Sequence, residues 1–221
     1  MRQIILSIFL TSLSLICYSQ EGGNVYRLAY LDVQGSDTTN AESLLKAYGG
    51  DVVTQPGIIS LEIMQRIFRT NQYVVLETWK DEESYQGFIK SSIYQAYRSA
   101  LTPYLTAGYA EYRQTALDIA SSEKQGEITL VTHVDIMPPR KQQGTALLID
   151  YAGQFRSAKG NTAYNLIVQP GRLNHITVVE SWDNLAAYQA HTETPEFKAY
   201  RHALQPLMGS LYDERLYQAL D

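Results

Sequence analysis

The chain has 221 residues, 45% of them hydrophobic and 19% charged, with a formal net charge of −5. This is the profile of an ordinary globular protein, long enough for one large domain or two small ones. No Lys/Arg cluster breaks the acidic balance, which excludes nucleic acid and an anionic membrane surface as partners.

Residues 1–19 place Arg2 ahead of an apolar run from Ile4 to Cys17 that ends in Cys17-Tyr18-Ser19. The run is short for a bilayer span and closes on small residues, as a signal peptidase prefers. It reads as a signal peptide cleaved after Ser19, with export to the periplasm or beyond, in preference to a retained membrane anchor. Ile16 ahead of Cys17 argues against a lipid anchor. Cys17 is the only cysteine, so the mature chain is expected to have no disulfide, thiol nucleophile or thiolate metal site.

Strands are expected over 26–33, 58–65, 72–79 and 109–117, with helices over 42–53 and 81–105. The same series then recurs 103 residues later. Asp32 meets Asp135, Leu44-Leu45 meets Leu147-Leu148, Gly57 meets Gly160, and Asn71 meets Asn174. Tyr85-Gln86 meets Tyr188-Gln189, Ala96-Tyr97-Arg98 meets Ala199-Tyr200-Arg201, and Pro103 meets Pro206. About a quarter of the positions agree over some ninety residues, which is a duplication and too few copies for a solenoid. Gln169-Pro170-Gly171-Arg172 has the Pro-Gly pair of a type II turn, and Thr194-Pro195-Glu196 reads as a helix N-cap followed by Pro. That second signal divides the long helix of the second copy just beyond His191. Pro103 and Pro206 should end or kink the helices again.

Each copy is therefore a ferredoxin-like β-α-β-β-α-β unit with helices on one face of an antiparallel sheet, an α+β class. The other sheet face needs cover, and the second copy supplies it. The expected result is a pseudo-dimeric α/β barrel: residues 24–118 and 127–221 form the two repeats, joined by the polar linker 119–126. A monomeric pseudo-dimer is expected, with a homodimer pairing like halves as the alternative.

The stretch Glu77 to Phe88, ETWKDEESYQGF, returns as ESWDNLAAYQAH from Glu180 to His191. Residues two apart on a strand share a face, so Glu77 lies beside Trp79 and Glu180 beside Trp182. On the next helix Tyr85 and Phe88 share a face, as do Tyr188 and His191. Beyond them Tyr94, Tyr97 and Leu101 form an inward stripe with Arg98 at its margin, repeated by Phe197, Tyr200 and Leu204 with Arg201. Each copy thus offers an indole N–H, a phenol and a guanidinium around one apolar space. The bland roles are aromatic core packing, Arg98 and Arg201 as braces to Glu77, Glu180 or surface acids, and His191 as a helix C-terminal residue favoured by the dipole.

The pattern E-x-W, a helix bearing Y-Q-A-H, then P-E-F-K-A-Y-R and A-L-Q-P, resembles the antibiotic biosynthesis monooxygenase family of dimeric α/β barrels. The second copy fits over almost its whole length; the first departs at Phe88 and at Ser91-Ser92. The family includes cofactor-independent oxygenases of polyphenols and quinols, and a haem-degrading branch. The resemblance implies roles for Trp79, Tyr85 and Arg98 in the first copy, and for Trp182, Tyr188 and Arg201 in the second. The haem-degrading branch uses a helix His as iron ligand at about the position of Arg98 and Arg201, so haem is not expected.

All four histidines, 133, 175, 191 and 202, lie in the second copy, opposite Tyr30, Gln72, Phe88 and Ser99. The site is therefore expected there, with Trp182, Tyr188, His191 and Arg201 catalytic. Trp79, Tyr85, Arg98, His133, Phe197 and Tyr200 are expected to bind substrate. Arg201 would stabilise a substrate anion, Trp182 and Tyr188 would donate hydrogen bonds, and His191, with an ordinary pKa near 6.5, would accept a phenol proton. Neither HExxH nor another tight metal spacing occurs, and no phosphate loop or G-x-S-x-G elbow is present, so no metal or cofactor is expected. The expected partners are a small quinol or polyphenol and O₂. The rival expectation is a non-catalytic exported barrel that binds a small apolar or aromatic ligand, because fold alone does not select a reaction.

Overall fold

The computed structural model describes residues 23–120 and 125–220; the expected signal peptide and half of the expected linker lie outside them. The first copy runs β1 (Val25–Asp32), α1 (Thr38–Val52), β2 (Ile58–Arg66), β3 (Gln72–Trp79), α2 (Glu82–Ile89), α3 (Ser92–Leu101) and β4 (Ala110–Asp118). The second runs β5 (Ile128–Asp135), α4 (Lys141–Phe155), β6 (Asn161–Gln169), β7 (Arg172–Trp182), α5 (Leu185–Thr192), α6 (Pro195–Leu204) and β8 (Asp213–Ala219).

The long helix divides in both copies, whereas the sequence signalled a break only in the second. Thr194 Oγ1 accepts the Phe197 N–H at 3.2 Å, and Ser91 Oγ accepts the Tyr94 N–H at the same distance. A hydroxyl cap satisfies a backbone donor that a helix start leaves orphaned, so Ser91 breaks the helix without a proline.

The eight strands close into one antiparallel barrel in the order β1-β3-β2-β8-β5-β7-β6-β4. Each copy contributes a four-stranded sheet. Two short seams join them, from Met64↔Ala219 to Arg66↔Tyr217 and from Thr115↔Val168 to Asp118↔Leu166. Closure leaves no sheet edge unpaired, so the duplicated chain needs no second molecule to complete its barrel. Among the described residues no helix is long and apolar enough to cross a membrane.

Strand alternation sorts side chains to two sides. Tyr26, Leu28, Met64, Val74, Leu76, Val131, Ile167, Val179 and Tyr217 fill the barrel interior. The opposite face of each sheet packs on the helices: Ala29, Val75 and Trp79 meet Tyr48, Tyr85 and Tyr97 in the first copy, and Tyr164, Leu166 and Val178 meet Leu148, Phe155 and Tyr200 in the second.

The repeat is also exact in its turns. Gly57 and Gly160 have φ of +86° and +85°, and a Cβ would strike Ser84 in one copy and Ala187 in the other; glycine is required at both. Asn71 and Asn174 donate Nδ2–H to the carbonyls of Val33 and Ile136 at 3.0 Å, pinning the loop after each first strand.

Candidate active site between sheet and helices

In the first copy, the space between sheet and helices is occupied by Arg27, which β1 projects from its helix-facing side. Its side chain is fully buried; Nη1 meets Glu77 Oε1 at 2.5 Å and Nη2 meets Glu111 Oε2 at 2.9 Å. Nη1 also donates to the Tyr48 hydroxyl at 3.1 Å and Nη2 to the Tyr109 hydroxyl, while Tyr94 presents its ring 5.0 Å away. Burial alone would lower the Arg27 pKa, but Glu77, the phenols and Glu111 hold it well above the usual range. Burial likewise works to raise the Glu111 carboxyl, yet the Arg27 charge brings it below its ordinary value. Arg98 joins the same set: Nη1 donates to the Tyr94 hydroxyl at 3.0 Å and lies 3.5 Å from Glu111. Trp79 donates its indole N–H to Glu77 at 3.0 Å and stacks on Phe88. The buried charges are paired, the condition under which burial is tolerated, although Arg27 Nε and Arg98 Nε find no hydrogen-bond partner among the described residues.

The second copy has the same frame and a different charge balance. Leu130 stands where the first copy has Arg27, and Phe155 and Tyr164 stand where it has Val52 and Leu61. Glu180 is buried beside Leu130 and accepts the Trp182 indole N–H at 3.1 Å. Burial, then the neighbouring Glu214, pushes its carboxyl up to about 8. Glu214 accepts the Tyr188 hydroxyl, and burial raises its pKa too. The Glu180 carboxyl therefore keeps its proton near neutral pH.

His191 lies at the C-terminal end of α5, 6% exposed, inside an aromatic box. Its ring sits 4.7 Å from Trp182, 4.5 Å from Phe155 and 5.2 Å from Phe197. Nε2 is buried without a hydrogen-bond partner among the described residues, and burial, partly opposed by Glu196, lowers the imidazole pKa. The ring is thus neutral near pH 7, which sets aside a role as a charged partner of the helix dipole. Arg201 lies over the Tyr212 ring with its guanidinium carbon 3.3 Å from the centroid, and its Nη1 is buried without a partner.

A family profile described as antibiotic biosynthesis monooxygenase matches residues 24–100 and again 127–203. The chain belongs to the antibiotic biosynthesis monooxygenase family. It is a tandem member, one family domain per barrel half. Among solved structures it is similar to a candidate monooxygenase of Fusobacterium nucleatum, with TM-score 0.79 and 13% identity over 90% of this chain and 94% of that one. A candidate monooxygenase of Lactobacillus acidophilus gives TM-score 0.72 and 12% identity over 90% and 95%. An anthrone oxidase-like protein gives 0.69 and 12% over 90% and 92%. No curated protein matches the chain significantly.

Within this family frame the structure brings Trp182, Tyr188, His191, Phe197 and Tyr200 together around Phe155, with Arg201 at the margin. Two expected donors are already spent: the Trp182 indole on Glu180 and the Tyr188 hydroxyl on Glu214. Trp79 and Arg98 are similarly engaged by Glu77 and Glu111, and Tyr85 is buried against the first-copy core. The first-copy set expected to bind substrate is therefore closed upon itself. The bracing partner of Arg98 is Glu111 rather than Glu77, and Arg201 rests on a ring. His133 departs from its expected place. It projects into the barrel, on the same side of β5 as Val131, and its ring stacks at 5.7 Å on His175; the sheet separates it from the cluster.

Sequence reading did not single out Arg27, Glu111 or Glu214, nor Tyr48, Tyr109 or Tyr212. One signal was available: Arg27 is a charged residue in the otherwise apolar run VYRLAYL, and it meets Leu130 across the repeat.

Proposed function

We propose that this chain is an exported, cofactor-independent oxygenase whose second copy acts on a small electron-rich quinol or polyphenol with O₂. The observation that carries the reading is His191 Nε2, a buried and unpartnered imidazole nitrogen among the rings of Trp182, Phe155 and Phe197. A neutral imidazole in an apolar box can accept a phenol proton, and rings on several sides suit a flat aromatic substrate. The electron-rich anion so formed passes one electron to O₂. Recombination of the two radicals forms a C–O bond, and the resulting hydroperoxide takes up the proton and loses water. One oxygen atom stays in the product as a carbonyl and the other leaves in water, so no external reductant is required. Arg201, with Nη1 unpartnered, supplies charge toward the developing anion. Family membership and the fold shared with candidate monooxygenases support the reaction class; the apolar leader supports export.

A second reading, a barrel that holds a ligand without transforming it, is favoured by one observation. Two open grooves mark the surface, one of ≈ 440 Å³ between α1 and α3 and one of ≈ 330 Å³ where β2 meets β8. Oxygen uptake with a panel of hydroquinones and polycyclic phenols decides between them. Protein-dependent uptake that His191→Phe abolishes is expected; uptake no faster than the protein-free rate across the panel refutes the oxygenase reading.

A further inference from the structure

The first copy contains, in Arg27, a cation bound by its own fold. Five side chains hold that guanidinium: Glu77, Glu111, Tyr48, Tyr109 and the ring of Tyr94. Their counterparts in the second copy are Glu180, Glu214, Tyr151, Tyr212 and Phe197. Four are identical and the fifth keeps its ring, whereas the cation itself has become Leu130.

The charges follow the same contrast. In the first copy Arg27 lies against Glu77 and Glu111, and Arg98 against Glu111; in the second, Arg201 lies near Glu214. One guanidinium is absent from a shell that otherwise persists, and below about pH 8 Glu180 holds a proton in its place.

An independent feature marks the same place. Thr132 replaces Ala29, lies directly across from Glu214 in the β5–β8 pairing, and is fully buried with Oγ1 lacking a hydrogen-bond partner. A buried polar atom without a partner is rare in folded proteins and calls for an explanation, a bound group being one.

We propose that the second copy binds a small organic cation, a guanidinium or ammonium group on an aromatic or apolar body, with Glu180 and Glu214 as its charge partners. Carboxylates match a guanidinium fork in geometry as well as charge, and the rings of Tyr151 and Phe197 attract cations; the Tyr212 ring already carries Arg201. Leu130 is shorter than Arg27, and the larger Phe155 and Tyr164 pack into the same copy, the Tyr164 phenol lying among Glu180, Tyr200, Tyr212 and Glu214. A cation therefore reaches the carboxylates by displacing the Tyr164 phenol, past the half-buried rim of Glu214, Phe197, Arg201 and Tyr212. This inference goes beyond the oxygenase reading and stands or falls separately from it.

The test is an anaerobic titration of the mature chain with phenylguanidinium at mildly alkaline pH, followed by calorimetry, with phenylurea as the neutral isostere. Saturable binding in the submillimolar range, at least about tenfold tighter than phenylurea, is expected. Glu180→Gln and Glu214→Gln should each weaken it by about tenfold or more, and Glu77→Gln should not. Leu130→Arg should supply the cation internally, abolishing phenylguanidinium binding in a protein that melts no lower than wild type. Equal affinity for the two probes, absence of saturation to about 10 mM, or Glu180 and Glu214 variants that bind as wild type overturn the proposal. Oxygen uptake with neutral quinols in a protein that ignores phenylguanidinium would leave the oxygenase reading intact and remove this one; cation binding without uptake would do the reverse.

Discussion

Glu180→Gln should change how the stability of this protein depends on pH. Glu180 is 2% exposed, and burial together with Glu214 lifts its carboxyl from the ordinary 4.5 to about 8. Between those values the folded state keeps a proton that the unfolded chain has released, so the folded state binds more protons and stability falls as pH rises. At about 1.4 kcal/mol per pH unit the window amounts to on the order of 5 kcal/mol, and relaxation of the site toward solvent reduces this to about 2–3 kcal/mol. The stabilisation from neutral Glu180 is complete below the unfolded value and is lost as pH climbs through about 8. Glutamine keeps an acceptor for the Trp182 indole and cannot ionise. Urea denaturation of wild type and variant at about pH 5 and about pH 8.5 measures the effect. Wild type should lose stability across that interval, the variant should lose much less, and the variant should be the more stable at the alkaline end. Equal pH slopes in the two proteins would refute the reasoning, because they would show that Glu180 does not retain its proton in the folded state.

Arg27→Leu gives the first copy the composition of the second at its centre and leaves Glu77 buried without its cation. A loss of about 3–5 kcal/mol is expected by denaturant titration, against about 1 kcal/mol or less if the ion pair were solvated. Phe68 is 87% exposed with φ of +66°, at the position where the second copy has Gly171 with φ of +77°. Phe68→Gly should therefore raise stability by about 0.5–1 kcal/mol, since the relief of left-handed strain exceeds the added entropy of glycine in the unfolded chain. Gly160→Ala should lower it by about 1–3 kcal/mol, because the backbone is left-handed there and Ala187 occupies the space. His191→Phe should fold normally, as Phe88 does in the same setting, while lowering oxygen uptake by about 100-fold or more.

Much of the fold was legible because local physics writes it into the chain. Alternation placed all eight strands within a few residues, the 103-residue echo revealed the duplication, and the positive-φ glycines recur with it. The break at Ser91 was missed because a serine cap is a weaker signal than Thr-Pro, although it satisfies the same backbone donor. His191 was visible as an imidazole standing where the repeated phrase has Phe88 in the first copy, and the structure places it among the rings of its own copy.

What the sequence could not decide is how polar atoms are spent. Glu77 lies 50 residues from Arg27 and Glu111 lies 84 away; these groups meet only because β1 is seated between β3 and β4. By the same strand order β5 lies between β7 and β8, which brings Glu180 and Glu214 to either side of Leu130. Periodicity says which face a side chain takes, because that depends on the dihedral angles of its own strand. Whether a buried carboxylate finds an arginine or a leucine depends on which strands lie beside it, and the strand order within each four-stranded sheet determines that.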